Sequence, residues 1–369
     1  MRILTITCHD VYNAGASLQA YALQRHLAEC GHDTEIINYK PDYLSGHYRY
    51  TTVNTRKYDR SILRELYIIT HLPRRLKANM EGRKQRFDQF RSEYFKLTSK
   101  RYQNCDELSE DAPIADCYIA GSDQIWNPYL PNGADPSFYL QFAPDDKRKI
   151  SYAASFATDC LPEEHKQSVK PWLKRLDTVS VREQSGVGIL HELGIEAISV
   201  CDPVFLLERK EWQQLATQCL EDKPYVLIYD FDESKVTQET ALKLAKDIGA
   251  EVLSVFPVRE KRIRSVRAVG PREFLSLILH AEAVVSNSFH ATAFALIFHK
   301  ELFVRLRDED LNARMIDLLT AVGLKKRLMK DCGDLKAVDP INWTTVDCIL
   351  NQRIVESKEY LASAITGES

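Results

Sequence analysis

The sequence predicts an α/β protein built from two doubly wound parallel sheets. Three observations carry this prediction. Short apolar strands alternate with helix-spaced segments along most of the chain. Most strands end in polar or small residues before the next segment begins. The length of 369 residues exceeds what one ordinary core accommodates and suits two domains.

The elements follow in order. "RILTITCH" (2–9) reads as a first β-strand, since the short apolar run is followed at once by His9 and Asp10 and so does not resemble a secretory signal. "SLQAYALQRHLAECG" has helical spacing through Leu18, Tyr21, Ala22 and Leu27 and stops at Gly31. "DTEIINYKP" is the next strand, closed by Pro41, which completes a β-α-β unit and calls for a parallel sheet. Residues 56–101 interrupt the alternation with a basic segment, expected to be helical, that holds 14 Arg or Lys against 5 Asp or Glu. This is either a solvated face or a surface that rests on anionic lipid, with Leu63, Leu66, Tyr67, Ile68 and Ile69 as its apolar side.

The strand pattern resumes with "DCYIAGSDQIWNP", "KISYAASFA", "TVSVREQSGVGILHELG" and "ISVCDPVFLL". A polar helical stretch from Glu208 to Pro224 marks a break. A second series follows: strand "YVLIYDF", helix "KVTQETALKLAKDIG" ending at Gly249, strand "EVLSVFPV", helix "PREFLSLILHAE" with proline in its first turn, strand "AVVSNS", helix "FHATAFALIFHK" and strand "ELFVRLR". The tail from Asn342 to Ala364 reads as helix. The expected organisation is an N-terminal domain over 1–207 carrying the basic insertion 56–101, a C-terminal domain over 208–340, and a terminal helix over 341–369 that packs across both.

Composition excludes several classes. Hydrophobic residues at 44% and charged residues at 27% describe a globular chain rather than a disordered one. A net charge of −3 provides no footprint for nucleic acid. No apolar run reaches the roughly 20 residues that span a bilayer, so a cytoplasmic protein is expected. Nine cysteines without a CxxC pair argue against a disulfide framework or structural zinc, and Cys8, Cys117 and Cys201 are expected to be buried thiols.

The chemistry-bearing residues sit at strand ends. In "AVVSNSFHATAFALIF" a buried strand ends and a helix begins at Phe289. Its first turn offers unpaired N–H groups and the positive end of the helix dipole. Ser286, Asn287 and Ser288 are placed either to cap that helix or to bind an anion there, and His290 is placed to transfer a proton. In "AGSDQIWNP" a strand delivers Gly121, Ser122, Asp123 and Gln124 to a loop, and Trp126 is either a sugar-stacking surface or a core anchor. Arg182 in "SVREQSG" suits a carboxylate or phosphate, or pairs with Glu183 or a nearby Asp. Asp202 in "CDPVFLL" reads as a turn former. Asn13, Gly15 and Ser17 form a strand-to-helix turn resembling a phosphate cradle, without the GxGxxG fingerprint. Arg262, Arg264 and Arg267 are a solvated loop or a steering patch.

Six stretches, "NAGASLQAYALQ", "AGSDQIWNP", "YAASF", "SVREQSG", "CDPVFLL" and "AEAVVSNSFHATAFAL", occur in an order that resembles the polysaccharide pyruvyl transferase family over roughly Asn13 to Arg305. The resemblance implies two Rossmann-like domains facing a cleft, similar to the glycosyltransferase-B architecture. It implies phosphoenolpyruvate as co-substrate and a sugar of a surface polysaccharide as acceptor. No cofactor or metal ion is expected, because no nucleotide diphosphate leaves. The basic 56–101 region suggests a lipid-linked acceptor and peripheral contact at the inner membrane face. Arg182 and His290 match the family's motif positions. On that basis Arg182 and the Phe289 helix N-terminus would hold the donor, His290 would transfer the proton, and Asp123, Gln124 and Asn13 would orient the acceptor. The chain departs from the family where many members carry Arg-Leu-His: it has Ser288, Phe289 and His290, so one cationic anchor is absent, and Ala291 stands where Gly is common. The alternatives are a nucleotide-sugar glycosyltransferase on the same architecture and a non-catalytic glycan-binding protein.

Overall fold

Ile3, Leu4 and Ile6 have no exposed surface, because β1 (Arg2–Ile6) is the middle strand of a parallel sheet covered on both faces. The computed structural model describes residues 1–44, 82–307, 312–330 and 339–367. In the first sheet, β2 (Asp33–Tyr39), β3 (Leu97–Tyr102), β4 (Cys117–Ala120) and β5 (Arg148–Ser151) join β1 in the order β3-β2-β1-β4-β5. Bridges Ile150–Thr178 and Ala154–Val181 lead on to the short pair β6 (Ser180–Val181) and β7 (Ile198–Ser199). The second sheet contains β8 (Tyr225–Tyr229), β9 (Glu251–Ser254), β10 (Ile263–Ser265), β11 (Ala283–Ser286), β12 (Glu301–Arg305) and β13 (Leu328–Met329) in the order β10-β9-β8-β11-β12-β13. Every ladder is parallel. Strand order reverses between β1 and β4 in one sheet and between β8 and β11 in the other, the switch points at which doubly wound sheets bind ligands.

The helices are α1 (Ala14–Glu29), α2 (Arg83–Tyr94), α3 (Cys105–Glu110), α4 (Glu163–Leu173), α5 (Gln184–Glu192), α6 (Arg209–Leu215), α7 (Lys235–Ile248), α8 (Pro271–Leu279), α9 (Phe289–Ile297), α10 (Ala313–Ala321) and α11 (Trp343–Thr366). Asn13 caps α1 by accepting from the Ala16 amide at 3.3 Å. Gly249 ends α7 in the left-handed region at φ 69°, where only glycine sits without strain. α9 is buried along its whole length, which explains its nearly unbroken apolar sequence. One core cluster joins α1 (Ala14, Leu18, Ala22) to α8 and α9 (Phe274, Phe294) through Trp212, so the two sheets meet over a shared apolar contact. The terminal helix α11 contributes Val346 and Leu350 to that cluster and Leu361, Ala364 and Ile365 to the core beneath β1 and β4.

Two local expectations are corrected. The basic segment is not helical to residue 101: α2 ends at Tyr94, and Leu97–Tyr102 is the edge strand β3. Thr98 and Tyr102 are buried there while Ser99, Lys100 and Arg101 face solvent, a pattern that places charge on an edge. Among the described residues several of its cations are engaged: Arg86 with Glu273, Arg91 with Asp10 and Asp88, Lys96 with Asp33 at 2.6 Å, Lys100 with Asp111 at 2.8 Å. Leu63, Leu66, Tyr67, Ile68 and Ile69 lie outside the described residues. The "TVSVREQSG" stretch contributes only two residues of strand before α5 begins at Gln184.

Trp126 settles as a core anchor. It is fully buried, stacks on Tyr139 with ring centroids 5.4 Å apart, and donates Nε1–H to the Phe138 carbonyl at 3.0 Å. Trp126→Ala should therefore lower unfolding free energy by about 3–5 kcal/mol, measured by urea denaturation; a loss below about 1 kcal/mol would contradict this packing.

Candidate active site

The carboxyl ends of both sheets open on one cavity of about 400 Å³. Cys8 and Asn13 reach it after β1, Asp123 and Gln124 after β4, Phe231 after β8, Asn287 to His290 after β11, and Arg307 after β12. Arg314 and Met315 of α10 complete the wall. Asp123 holds a left-handed backbone at φ 76°, which an Asp tolerates better than most residues, and this turns the chain out of the sheet at the cavity edge.

Behind the cavity lies a buried charge cluster centred on Asp202, which is 1% exposed. Its Oδ2 is 3.0 Å from Arg182 Nε, 3.5 Å from His290 Nε2, and accepts from Ser122 Oγ at 3.3 Å. Its Oδ1 accepts from the Val204 amide at 3.0 Å and so caps the turn that follows. Burial pushes the Asp202 carboxyl pKa upward, but Arg182 and His290 outweigh it and hold the group well below the usual carboxylate range. Asp202 is thus the turn former its Asp-Pro context suggested, and also the partner of both catalytic candidates. Nothing in its local sequence signals the second role.

Arg182 donates Nη2–H to Ser122 Oγ at 2.7 Å and stacks over the Phe289 ring at 4.8 Å. Its partner is Asp202, not Glu183. Glu183 instead accepts from Ser155 Oγ and the Ala157 amide, both at 2.9 Å, and burial raises its pKa. Arg182 does not line the cleft cavity. It lies behind Phe289 on the wall of a neighbouring cavity. His290 does line the cleft. Its ring is held with Nε2 toward Asp202 and Nδ1 toward α1, where a Cβ on Gly15 would fall 2.1 Å from Nδ1. Gly15 therefore serves this site through absence of a side chain rather than as a phosphate cradle.

The remaining candidates divide. Asn13, Asp123, Gln124, Asn287 and Ser288 face the cleft. Asn287 also donates to Asp230 at 2.6 Å and Asp232 at 3.0 Å, which ties the β11 and β8 ends together. Gly121 and Ser286 lie deeper. The Gly121 amide donates to the Ile6 carbonyl at 2.8 Å, and Ser286 Oγ donates to the Tyr229 carbonyl at 2.7 Å while accepting from the Ser288 amide at 2.9 Å. Ser288 supplies no side-chain cap, so the first-turn amides of α9 keep their capacity for an anion. Arg262 and Arg264 are surface residues paired with Glu260 and Glu221.

Arg314 escaped the sequence reading because it sits in no strand-end motif. It opens α10, where the apolar spacing of Met315, Leu318 and Leu319 was the available signal. Its guanidinium lies 5.8 Å from the centre of the Phe289 ring, on both cavity walls. With the Gln124 amide oxygen turned toward it, Gln124 accepts from Arg314 Nη1 at 3.1 Å and Nη2 at 2.7 Å. Burial, and then the neighbouring Arg182 charge, lower the Arg314 pKa to about 10, so it stays cationic at neutral pH. Among the described residues no three His, Cys, Asp or Glu side chains group as a metal ion would require, and no helix is long and apolar enough to cross a membrane.

Two Rossmann-like domains whose switch points share a cleft define the glycosyltransferase-B class of fold. Solved structures agree. The chain superposes on a protein of Listeria monocytogenes assigned as a UDP-N-acetylglucosamine 2-epimerase with a TM-score of 0.59 at 10% identity, covering 100% of this chain and 97% of the other. The UDP-N-acetylglucosamine 2-epimerase of Rickettsia bellii gives 0.53 at 11% identity over 100% and 96%. Arabidopsis thaliana UGT89C1, complexed with UDP-L-rhamnose, gives 0.52 at 11% identity over 99% of this chain and 98% of the other. These likenesses show the fold. No curated protein sequence matches the chain. The model of the polysaccharide pyruvyl transferase family matches residues 13–308, and the chain belongs to that family and is a transferase.

The cluster makes a prediction with a defined sign. Asp202 has a lowered pKa when folded, so its stabilisation is complete above about pH 4, where an unfolded Asp is ionised. It is lost as pH falls through the depressed folded value. Asp202→Asn should cost roughly 3–5 kcal/mol at pH 7, because Arg182 is left as an uncompensated buried charge. The gap between variant and wild type should narrow below about pH 4 in urea titrations across pH. A pH-independent gap would contradict the ion-pair assignment.

Proposed function

We propose that this transferase moves the pyruvyl group of phosphoenolpyruvate onto two hydroxyls of a sugar in a surface polysaccharide or its lipid-linked precursor, forming a pyruvate ketal at the cytoplasmic face of the membrane. The observation that carries this is the lining of the cleft: His290, the uncapped start of α9 and Arg314 face the same cavity of about 400 Å³. That arrangement suits a small molecule with a carboxylate and a phosphate, both of which need N–H or cationic partners.

The residues fit the steps. A proton is added to the methylene carbon of the donor, and C2 becomes oxocarbenium-like. The first sugar hydroxyl bonds to C2. The bond from C2 to the phosphate oxygen breaks, and phosphate leaves with the electron pair. The second hydroxyl then bonds to C2 and closes the ring. One hydroxyl proton balances the proton added to carbon, and the other leaves with phosphate. His290 is the proton-transfer residue: its ring lines the cleft, with Asp202 3.5 Å from Nε2. Arg314 and the α9 amides take the donor's negative charge. Asp123, Gln124 and Asn13, which also line the cavity, orient the acceptor hydroxyls. Arg182 acts as a positioning residue, through Asp202 and Phe289.

Phosphoenolpyruvate should raise the melting temperature of the protein more than uridine or guanosine nucleotides do, and the reverse order would favour a nucleotide-sugar donor. His290→Ala should reduce phosphate release from phosphoenolpyruvate with a glycan acceptor by about 10²–10⁴-fold. Near-normal turnover in that variant would overturn the assignment. Gly15→Ala should reduce turnover by at least about tenfold with donor binding largely kept, since the added methyl displaces the His290 ring. Unchanged kinetics would show that the ring position is immaterial.

A further inference from the structure

The cleft changes character from its floor to its mouth. Ser288 and His290 line it at 8% and 6% exposure. Two other lining residues are large, apolar and open to solvent: Leu130, in the loop after β4, at 43%, and Phe231, after β8, at 42%. A small doubly charged donor engages the polar floor and offers no apolar surface to the mouth. The acceptor must pass the mouth to reach His290. An exposed ring on that route gains free energy when a ligand covers it.

Phe231 is exposed, yet it is firmly held. Its amide donates to Asn287 Oδ1 at 3.0 Å. Asn287 Nδ2 donates to both neighbours of Phe231, Asp230 at 2.6 Å and Asp232 at 3.0 Å. One side chain, three residues before His290, thus pins three consecutive residues. The ring packs against Tyr229 and Phe256, with centroids 5.3 and 5.2 Å away. Asp232 accepts from Arg307 Nη2 at 3.0 Å and Nε at 3.2 Å, which sets that guanidinium 5.9 Å from the centre of the Phe231 ring. A large exposed side chain ordinarily keeps much of its rotamer freedom. Here that freedom is already restricted, so a ligand lying on the ring pays little further ordering entropy.

We propose that Phe231 is the platform for the acceptor sugar, the ring on which the C–H face of a pyranose packs while its hydroxyls turn toward Asp123, Gln124 and Asn13. A pyranose is amphipathic: hydroxyls project around its edge, and neighbouring C–H groups form an apolar face. The electron-rich face of an aromatic ring attracts such C–H groups, and the contact removes apolar surface of both partners from water. Phe231 is therefore a specificity residue, and the acceptor it selects is a pyranose with a contiguous C–H face, as galactose and glucose have. The proposal rests on the sugar acceptor of the pyruvyl-transfer reading and not on its donor.

The test is saturation-transfer NMR of the full chain with millimolar methyl β-D-galactopyranoside and methyl β-D-glucopyranoside, without donor. Wild type should pass saturation to the ring C–H protons of at least one of them. Phe231→Leu keeps apolar packing against Tyr229 and Phe256 but removes the flat ring, and should weaken binding by about 3- to 10-fold. Phe231→Trp should bind at least as well as wild type. Both variants should unfold thermally as native proteins, with the melting-temperature rise given by phosphoenolpyruvate unchanged. The proposal is overturned if neither glycoside binds wild type, if Phe231→Leu binds them equally well, or if that variant also loses the phosphoenolpyruvate effect. It is likewise overturned if Phe231→Leu instead loses affinity for uridine nucleotides, which would make the ring a platform for a base. Glycoside binding that follows Phe231 in a protein indifferent to phosphoenolpyruvate would sink the donor assignment alone. The converse result would sink the platform alone.

Discussion

A single buried carboxylate organises this protein. Asp202 is removed from water, where an unpaired charge would be untenable, and it is kept ionised by a guanidinium on one side and an imidazole on the other. Arg182 and Asp202 come from the first-sheet half of the chain and His290 from the second. The ion cluster is therefore also a link between the lobes, reinforced by the apolar contact of α1 with α8 and α9. Because Asp202 and Arg182 lie behind the cavity wall, they hold the His290 imidazole without occupying the cleft.

The chain's departure from the common family motif takes on meaning in this setting. Where many members carry arginine before the histidine, Ser288 stands here, and its side chain does not cap the helix. A cation is nonetheless present at the cavity, delivered by Arg314 from α10 across the Phe289 ring. The Arg182 and Arg314 guanidiniums both lie near this ring, 4.8 and 5.8 Å from its centre. The positive charge at the cavity comes from a different segment of sequence.

Much of the architecture was legible because the hydrophobic pattern and the punctuating Gly and Pro residues report local structure directly. The run from Val226 to Ile228 is fully buried in a central strand, and α9 is apolar on every face because it is buried on every face. The strand ends bearing Asp123, Asn287 and His290 were legible for the same reason: a doubly wound sheet places its ligands there. The edge strand β3 was not, since its exposed Lys100 and Arg101 mask a strand whose only internal anchors are Thr98 and Tyr102. Trp126 carried no local sign of whether it faced a sugar or the core. Its partners Tyr139 and Phe156 lie 13 and 30 residues further along.

The sequence by itself determined the class of fold, the order of most of its strands and helices, and the family, because periodicity and motif order are properties of neighbours along the chain. It also determined which residue types stood ready at the strand ends. Tertiary structure alone decided that Asp202 pairs with both Arg182 and His290, that Gly15 makes room for an imidazole from 275 residues away, and that Arg314 rather than Arg182 reaches the cleft. Those relations join residues whose separation along the chain is large, and electrostatic and steric fit act through space, not through sequence.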